Sequence, residues 1–147
     1  MLACIVVLSS AGSAASSGWY DNFYCFFDRE SVDIGSRCKG VIDEVVKSWN
    51  TLREGRRTFQ HMDLPPTFVP AFTAPLEVRG CAQDAETPKG NSRLSMLRAV
   101  AVANEVIRLN IPKELVTPIG LGDVCPLIPD AALDPQNRRT LILIKSP

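Results

Sequence analysis

Leu76-Glu-Val-Arg-Gly80, joined by a loop to Asn91-Ser-Arg-Leu-Ser-Met-Leu-Arg-Ala99, sets the architecture of this chain. Leu76 to Gly80 alternates apolar and charged residues, the pattern of a half-buried strand. Cys81 to Gly90 reads as a loop, and a helix is predicted from about Ser92 to Leu109, with Ala99, Val102, Ala103, Val106 and Ile107 toward the core. On this reading Arg98 lies in the first turn. The arginine and the helix N-terminus then face the space above a strand end, where an anionic group is stabilised.

On the N-terminal side, Phe23-Tyr-Cys-Phe-Phe27 is dense in strand formers and predicts a buried strand. Cys38, Val41, Ile42, Val45, Val46 and Trp49 recur at helical spacing, with Asp33 or Ser36 available as a cap and Gly55 as a stop. From about Arg56 to Pro75 the periodicity is lost and Pro65, Pro66, Pro70 and Pro75 intervene. A proline lacks the donor that a helix interior or central strand needs, so this stretch predicts a long loop or insert. On the C-terminal side, Asn110 is placed to leave the helix left-handed. Leu115 to Ile119 predicts a strand that Pro118 confines to an edge or an end, and Gly120-Leu-Gly122 a turn. Thr140-Leu-Ile-Leu-Ile144 is an unbroken apolar run, expected to be buried on both faces or paired at the sheet centre. The order β-α-β-α-β-β predicts an α/β (α+β) fold: one mixed sheet with helices packed on it.

The 147 residues suffice for one domain with a real core, and 16 basic residues balance 16 acidic ones. Zero net charge argues against nucleic acid or an anionic membrane surface as the main partner, since both require a basic excess. Residues 1–17 are apolar, then small, and read as a secretory signal whose basic start is missing. That reading is favoured over a strand or tail of a cytosolic protein, and places the domain at 22–147. Removing the segment leaves Cys25, Cys38, Cys81 and Cys125, none spaced as C-x-x-C. One or two disulfides and buried free thiols are both open, and the possible pairings are not ranked. Cys38 leans toward burial, because it falls on the apolar stripe of its helix.

The motifs and their spacing resemble the OmpA-like C-terminal domain shared by porin anchors, Pal-type lipoproteins and motor stators. Phe26-Phe27-Asp28, Ser31, Ile34 and Ile42-Asp43 are similar to its first strand and helix, and Leu76–Gly80 to the strand before its ligand loop. Asn91, Leu94-Ser95 and Arg98-Ala99 fall at the N-x-x-L-S-x-x-R-A spacing. Gly120-x-Gly122 with Pro126, then Asn137-Arg138-Arg139 before the Thr140 strand, match its closing segments. The resemblance implies an exported periplasmic or outer-membrane-associated domain that binds peptidoglycan noncovalently. Its ligand is the meso-diaminopimelate of the stem peptide, and no cofactor is implied. The residues expected at the ligand are Arg98, Asn91, Leu94, Gln83, Asp84 and Arg138. The family's Thr-Asp pair falls on Ala82 and Gln83, so an amide stands where a carboxylate is usual, with Asp84 next along. Asp134 is a second departure, standing where many relatives have arginine.

Those departures support another reading, an OmpA-like scaffold with a degenerate pocket that contacts another envelope protein through the Pro-rich insert. Arg98 could equally be a surface arginine, Asn91 a helix cap, and Arg138 or Arg139 the partner of Asp123 or Asp134. Catalysis is not expected. His61 is the only histidine, and no H-E-x-x-H, G-x-S-x-G or phosphate-loop pattern occurs. Glu30 and Asp33 are better explained as surface acids near a helix start than as a glycosidase dyad.

Overall fold

The computed structural model describes residues 20–60, 74–83, 88–124 and 134–145. The expected signal segment, Asp84, Cys125, Pro126 and most of the Pro-rich insert lie outside the described residues. Four strands and two long helices follow in chain order: β1 (Tyr20–Phe26), α1 (Ser36–Gln60), β2 (Leu76–Gly80), α2 (Pro88–Arg108), β3 (Val116–Gly120) and β4 (Arg139–Lys145). The sheet order is β1-β4-β2-β3. β4 is antiparallel to β1 and to β2, whereas β3 runs parallel to β2. The apolar run Thr140–Ile144 thus lies at the sheet centre. Pro118 lies on an edge strand, opposite Val78.

One core joins the sheet to both helices. Leu76, Val78, Ile142 and Ile144 meet Cys38, Ile42, Val45 and Trp49 of α1 and Ala99, Val102, Ala103 and Val106 of α2. Trp49 also donates its indole N–H to the Ala74 carbonyl at 3.1 Å, tying α1 to the start of β2. Cys25 and Cys38 form a disulfide with their Cα atoms 4.8 Å apart, joining β1 to the first turns of α1. Both residues are buried as well, so the apolar stripe and the bridge use the same position. Cys81 is disulfide-bonded too.

Several boundaries differ from the sequence expectation. α1 continues past Gly55 to Gln60, because Arg56 to Gln60 tolerate a helix and the first proline comes only at Pro65. Its start is Ser36, with the Gly35 carbonyl accepting from the Lys39 N–H at 3.0 Å. The larger correction is α2, which begins at Pro88 rather than Ser92, proline being well suited to a first helical position. Asn91 is therefore inside the helix and not its cap, and Arg98 stands about three turns in rather than in the first. Asn110 leaves the helix at φ 71°, the left-handed exit expected of it.

On the opposite sheet face, Glu77 accepts from Arg79 Nε at 3.0 Å and also pairs with Lys145, its diagonal neighbour on β4. The Lys145 hydrogen bond, aided by Arg79, holds the Glu77 carboxyl below its ordinary value of 4.5. A depressed folded-state pKa adds stability above the unfolded value and loses it as pH falls through the folded one. Melting temperatures of the wild type and Glu77→Gln should therefore differ at neutral pH and converge as pH drops below about 4.5. A gap that persists in acid would mean that the ion cluster is not its source.

Candidate functional site

β1, β2 and β3 share one direction, so the carboxyl ends of three strands and the start of β4 meet at one edge of the sheet. The register fixes this: Phe26 lies opposite Arg139, and Gly80 lies opposite both Thr140 and Gly120. The chain leaving β2 is held on both sides. Cys81 N–H donates to the Arg139 carbonyl and Ala82 N–H to the Gly122 carbonyl, each at 2.8 Å. Ala82 is fully buried.

α2 crosses this edge at contact distance, which explains the small residues there. A Cβ on Gly80 would sit 1.9 Å from the Ser95 carbonyl oxygen, and one on Gly120 would sit 2.9 Å from Met96 Cα. Ser95 is fully buried. Its hydroxyl donates to the Ser92 carbonyl and accepts from Gly122 N–H, both at 2.9 Å. Gly122 adopts φ 61° to present that N–H. The Leu94-Ser95 and Gly120-x-Gly122 motifs thus form one clamp between helix and turn.

Arg98 is at the centre of the edge and is 0% exposed, which rules out a surface arginine. Its Nε donates to the Ser31 carbonyl at 2.9 Å, Nη2 to the Asp28 carbonyl at 3.0 Å and Nη1 to the Cys81 carbonyl at 3.2 Å. The guanidinium also lies over the Phe27 ring, 5.2 Å from its centroid. One planar cation thereby ties the β1–α1 loop to the β2–α2 loop, which a lysine's single ammonium would do poorly.

Gln83 is half-buried beside this network, two residues beyond Cys81. Its Nε2 donates to the Asp123 carbonyl at 3.3 Å, which turns the amide oxygen inward. That oxygen is buried and accepts no hydrogen bond among the described residues. An unmatched buried acceptor is unfavourable unless a donor reaches it. Arg138 joins the same edge, its Nε donating to the Phe27 carbonyl at 3.3 Å. Asn91 is buried and Leu94 half-buried, two turns and one turn before Arg98 on the same face of α2. Arg98 and Arg138 thus bond to the neighbouring Asp28 and Phe27 carbonyls, and Gln83 follows the Cys81 carbonyl that Arg98 also holds, while Asn91 stands about 10 Å further up the helix. Asp134 turns its carboxylate to the Gln136 N–H at 2.8 Å, capping the Pro135–Asn137 turn rather than pairing with an arginine. Arg139 instead lies 6.0 Å from the Tyr24 ring centroid, and its burial lowers the guanidinium pKa.

Sequence reasoning did not single out a cleft of about 460 Å³ beside this edge, lined by Phe26, Asp28, Arg37, Gln136 and Arg138 among others. The available signal was Arg37 itself, a cation in the first turn of α1, where the helix dipole disfavours one. Among the described residues no cluster of three or more His, Cys, Asp or Glu could hold a metal ion. No described helix is long and apolar enough to cross a membrane.

This architecture is that of an OmpA-like domain. The OmpA-like domain of FopA1 from Francisella tularensis superposes with a TM-score of 0.67 at 19% identity, over 87% of this chain and 73% of the other. The peptidoglycan-associated lipoprotein of Burkholderia pseudomallei gives 0.59 at 19% identity, over 83% and 88%. The periplasmic domain of Helicobacter pylori MotB gives 0.61 at 18% identity, over 88% and 83%. No protein-family model and no curated protein sequence matches the chain.

Proposed function

We propose that this chain is an exported, non-catalytic envelope domain that holds peptidoglycan noncovalently through the diaminopimelate residue of the stem peptide. The observation that carries the reading is that the loop leaving β2 carries both the Cys81 carbonyl held by Arg98 and, two residues on, the buried Gln83 oxygen with no donor among the described residues. The free end of a diaminopimelate side chain bears an ammonium and a carboxylate on one carbon. A guanidinium suits the carboxylate, and an oxygen acceptor suits the ammonium. Similarity to proteins described as a peptidoglycan-associated lipoprotein and as a cell wall anchor supports the same assignment, and with it a periplasmic or outer-membrane location.

Gln83 limits the affinity because it accepts a hydrogen bond without bringing charge. A charge-assisted hydrogen bond is worth roughly 1.5–3 kcal/mol, or about 10- to 150-fold in affinity. Gln83→Asp should therefore tighten retention on purified peptidoglycan by about ten-fold or more. Free meso-diaminopimelate should compete the protein off. If neither the wild type nor Gln83→Asp is retained, the site is not a diaminopimelate pocket. The scaffold reading, with the Pro-rich insert contacting another envelope protein, would then take its place.

A further inference from the structure

We propose that the free edge of β1 is a self-association surface, along which a second copy of this chain adds its own β1 in antiparallel pairing. This inference is independent of the peptidoglycan reading.

β1 lies at one end of the sheet, with β4 as its inner neighbour. Phe27 N–H donates to the Arg138 carbonyl at 2.9 Å. Antiparallel pairing alternates, so Cys25, Phe23 and Asp21 also turn their backbone groups toward β4, opposite Thr140, Ile142 and Ile144. Asn22, Tyr24 and Phe26 therefore turn their N–H and C=O groups outward, and no described strand meets them. The two edges of the sheet differ in protection. β3 is five residues long and carries Pro118, which withholds a donor. β1 is seven residues long and pairs with β4 in unbroken register, with no proline, lysine or bulge along it. Those are the devices that ordinarily keep an edge from accepting another strand.

The occupant that fits is the same strand. Two copies of Tyr20-Asp-Asn-Phe-Tyr-Cys-Phe26 related by a two-fold axis at Phe23 match over all seven residues. Tyr20 then lies opposite Phe26 of the second copy and Asn22 opposite Tyr24 of the second copy, and cross-strand aromatic pairs are favourable. Asp21 is the strand's one charged residue and falls opposite Cys25 of the second copy, so no like charges meet. Phe23 packs against the core on the helix side and meets its own counterpart at the axis, which extends the core across the junction. A furrow of about 210 Å³, lined by Asp21 and by Glu44, Lys47, Ser48 and Thr51 of α1, leaves open space on that side of the strand. On the other face Tyr24 and Phe26 already stack, with ring centroids 6.5 Å apart, and Phe26 is 38% exposed. The symmetry is closed, so association stops at two copies whose four-stranded sheets join into one.

The test is sedimentation of the full chain over micromolar to millimolar concentration, with amide hydrogen exchange followed by NMR over the same range. The apparent mass should double, and exchange at the Asn22, Tyr24 and Phe26 amides should slow as it does. Asn22→Pro removes one outward donor at an exposed position and leaves the bonds to β4 in place. It should stay monomeric at every concentration, with the melting temperature of dilute wild type. If that variant fails to fold, amide exchange in the wild type decides alone. A chain that remains monomeric, a dimer that leaves those three amides unprotected, or a dimer that survives Asn22→Pro overturns the proposal.

Discussion

Arg98→Ala is expected to destabilise the domain by at least about 3 kcal/mol, a large share of the roughly 5–15 kcal/mol that typically separates folded from unfolded chains. The mechanism is the loss of one donor group from one buried and two partly buried acceptors at once. The carbonyls of Asp28, Ser31 and Cys81 would all lose their guanidinium partner; the buried Cys81 acceptor left unmatched costs about 1–3 kcal/mol, and the two partly buried ones add smaller amounts. Phe27 would also lose the cation on its face. Urea unfolding should show the midpoint falling well below that of the wild type, with Arg98→Lys between them because an ammonium serves fewer of the three acceptors. An unchanged midpoint would show that water replaces the guanidinium without penalty. This expectation also determines how ligand binding must be tested. Loss of peptidoglycan retention by Arg98→Ala would report unfolding as readily as a lost ligand contact, so the Gln83 substitution is the more informative one.

Gly80→Ala should be comparably severe. Its methyl group would lie 1.9 Å from the Ser95 carbonyl oxygen and 3.1 Å from Ala99 N, both atoms of a helix backbone that cannot move aside alone. Either α2 lifts from the sheet or β2 shifts against β4, and both disrupt the contact that positions Arg98. A cost of about 3 kcal/mol is expected, at the upper end for overpacking, or roughly a 10 °C fall in melting temperature. Gly40 provides the internal contrast. It lies within α1 with nothing inside 4 Å of an added Cβ, so Gly40→Ala should leave stability unchanged or raise it by about 1 kcal/mol. Thermal melts of the two variants measure this directly. Equal effects would refute the close-approach argument.

Much of the architecture was legible because local pattern and tertiary role coincide. The run Thr140–Ile144 is apolar at every position but the first because β4 is flanked on both sides by other strands. Pro118 marks an edge strand because its missing donor is harmless only there. The start of α2 was hidden for the opposite reason. Its buried face begins with Asn91, Ser95 and Arg98 and turns apolar only from Ala99 onward. A search for apolar periodicity finds that helix from about Ser92 onward and misses its opening residues, Pro88 to Asn91. The cysteines were equally ambiguous, since a buried stripe position and a bridging position have the same sequence appearance. The cleft around Arg37 depends on residues more than ninety positions apart meeting at one sheet edge, which no local pattern encodes.

The central place of β4 has a consequence for how the domain assembles. β1 and β2 are not hydrogen-bonded to each other, and both pair with β4, the last of the described strands in chain order. β2, α2 and β3 can associate early as a compact parallel unit, but β1 has no partner strand until β4 arrives. Such long-range closure is slow compared with local helix formation. The molecule is therefore zipped shut at its middle by its final strand, and a chain emerging in order would stay open-sheeted until then.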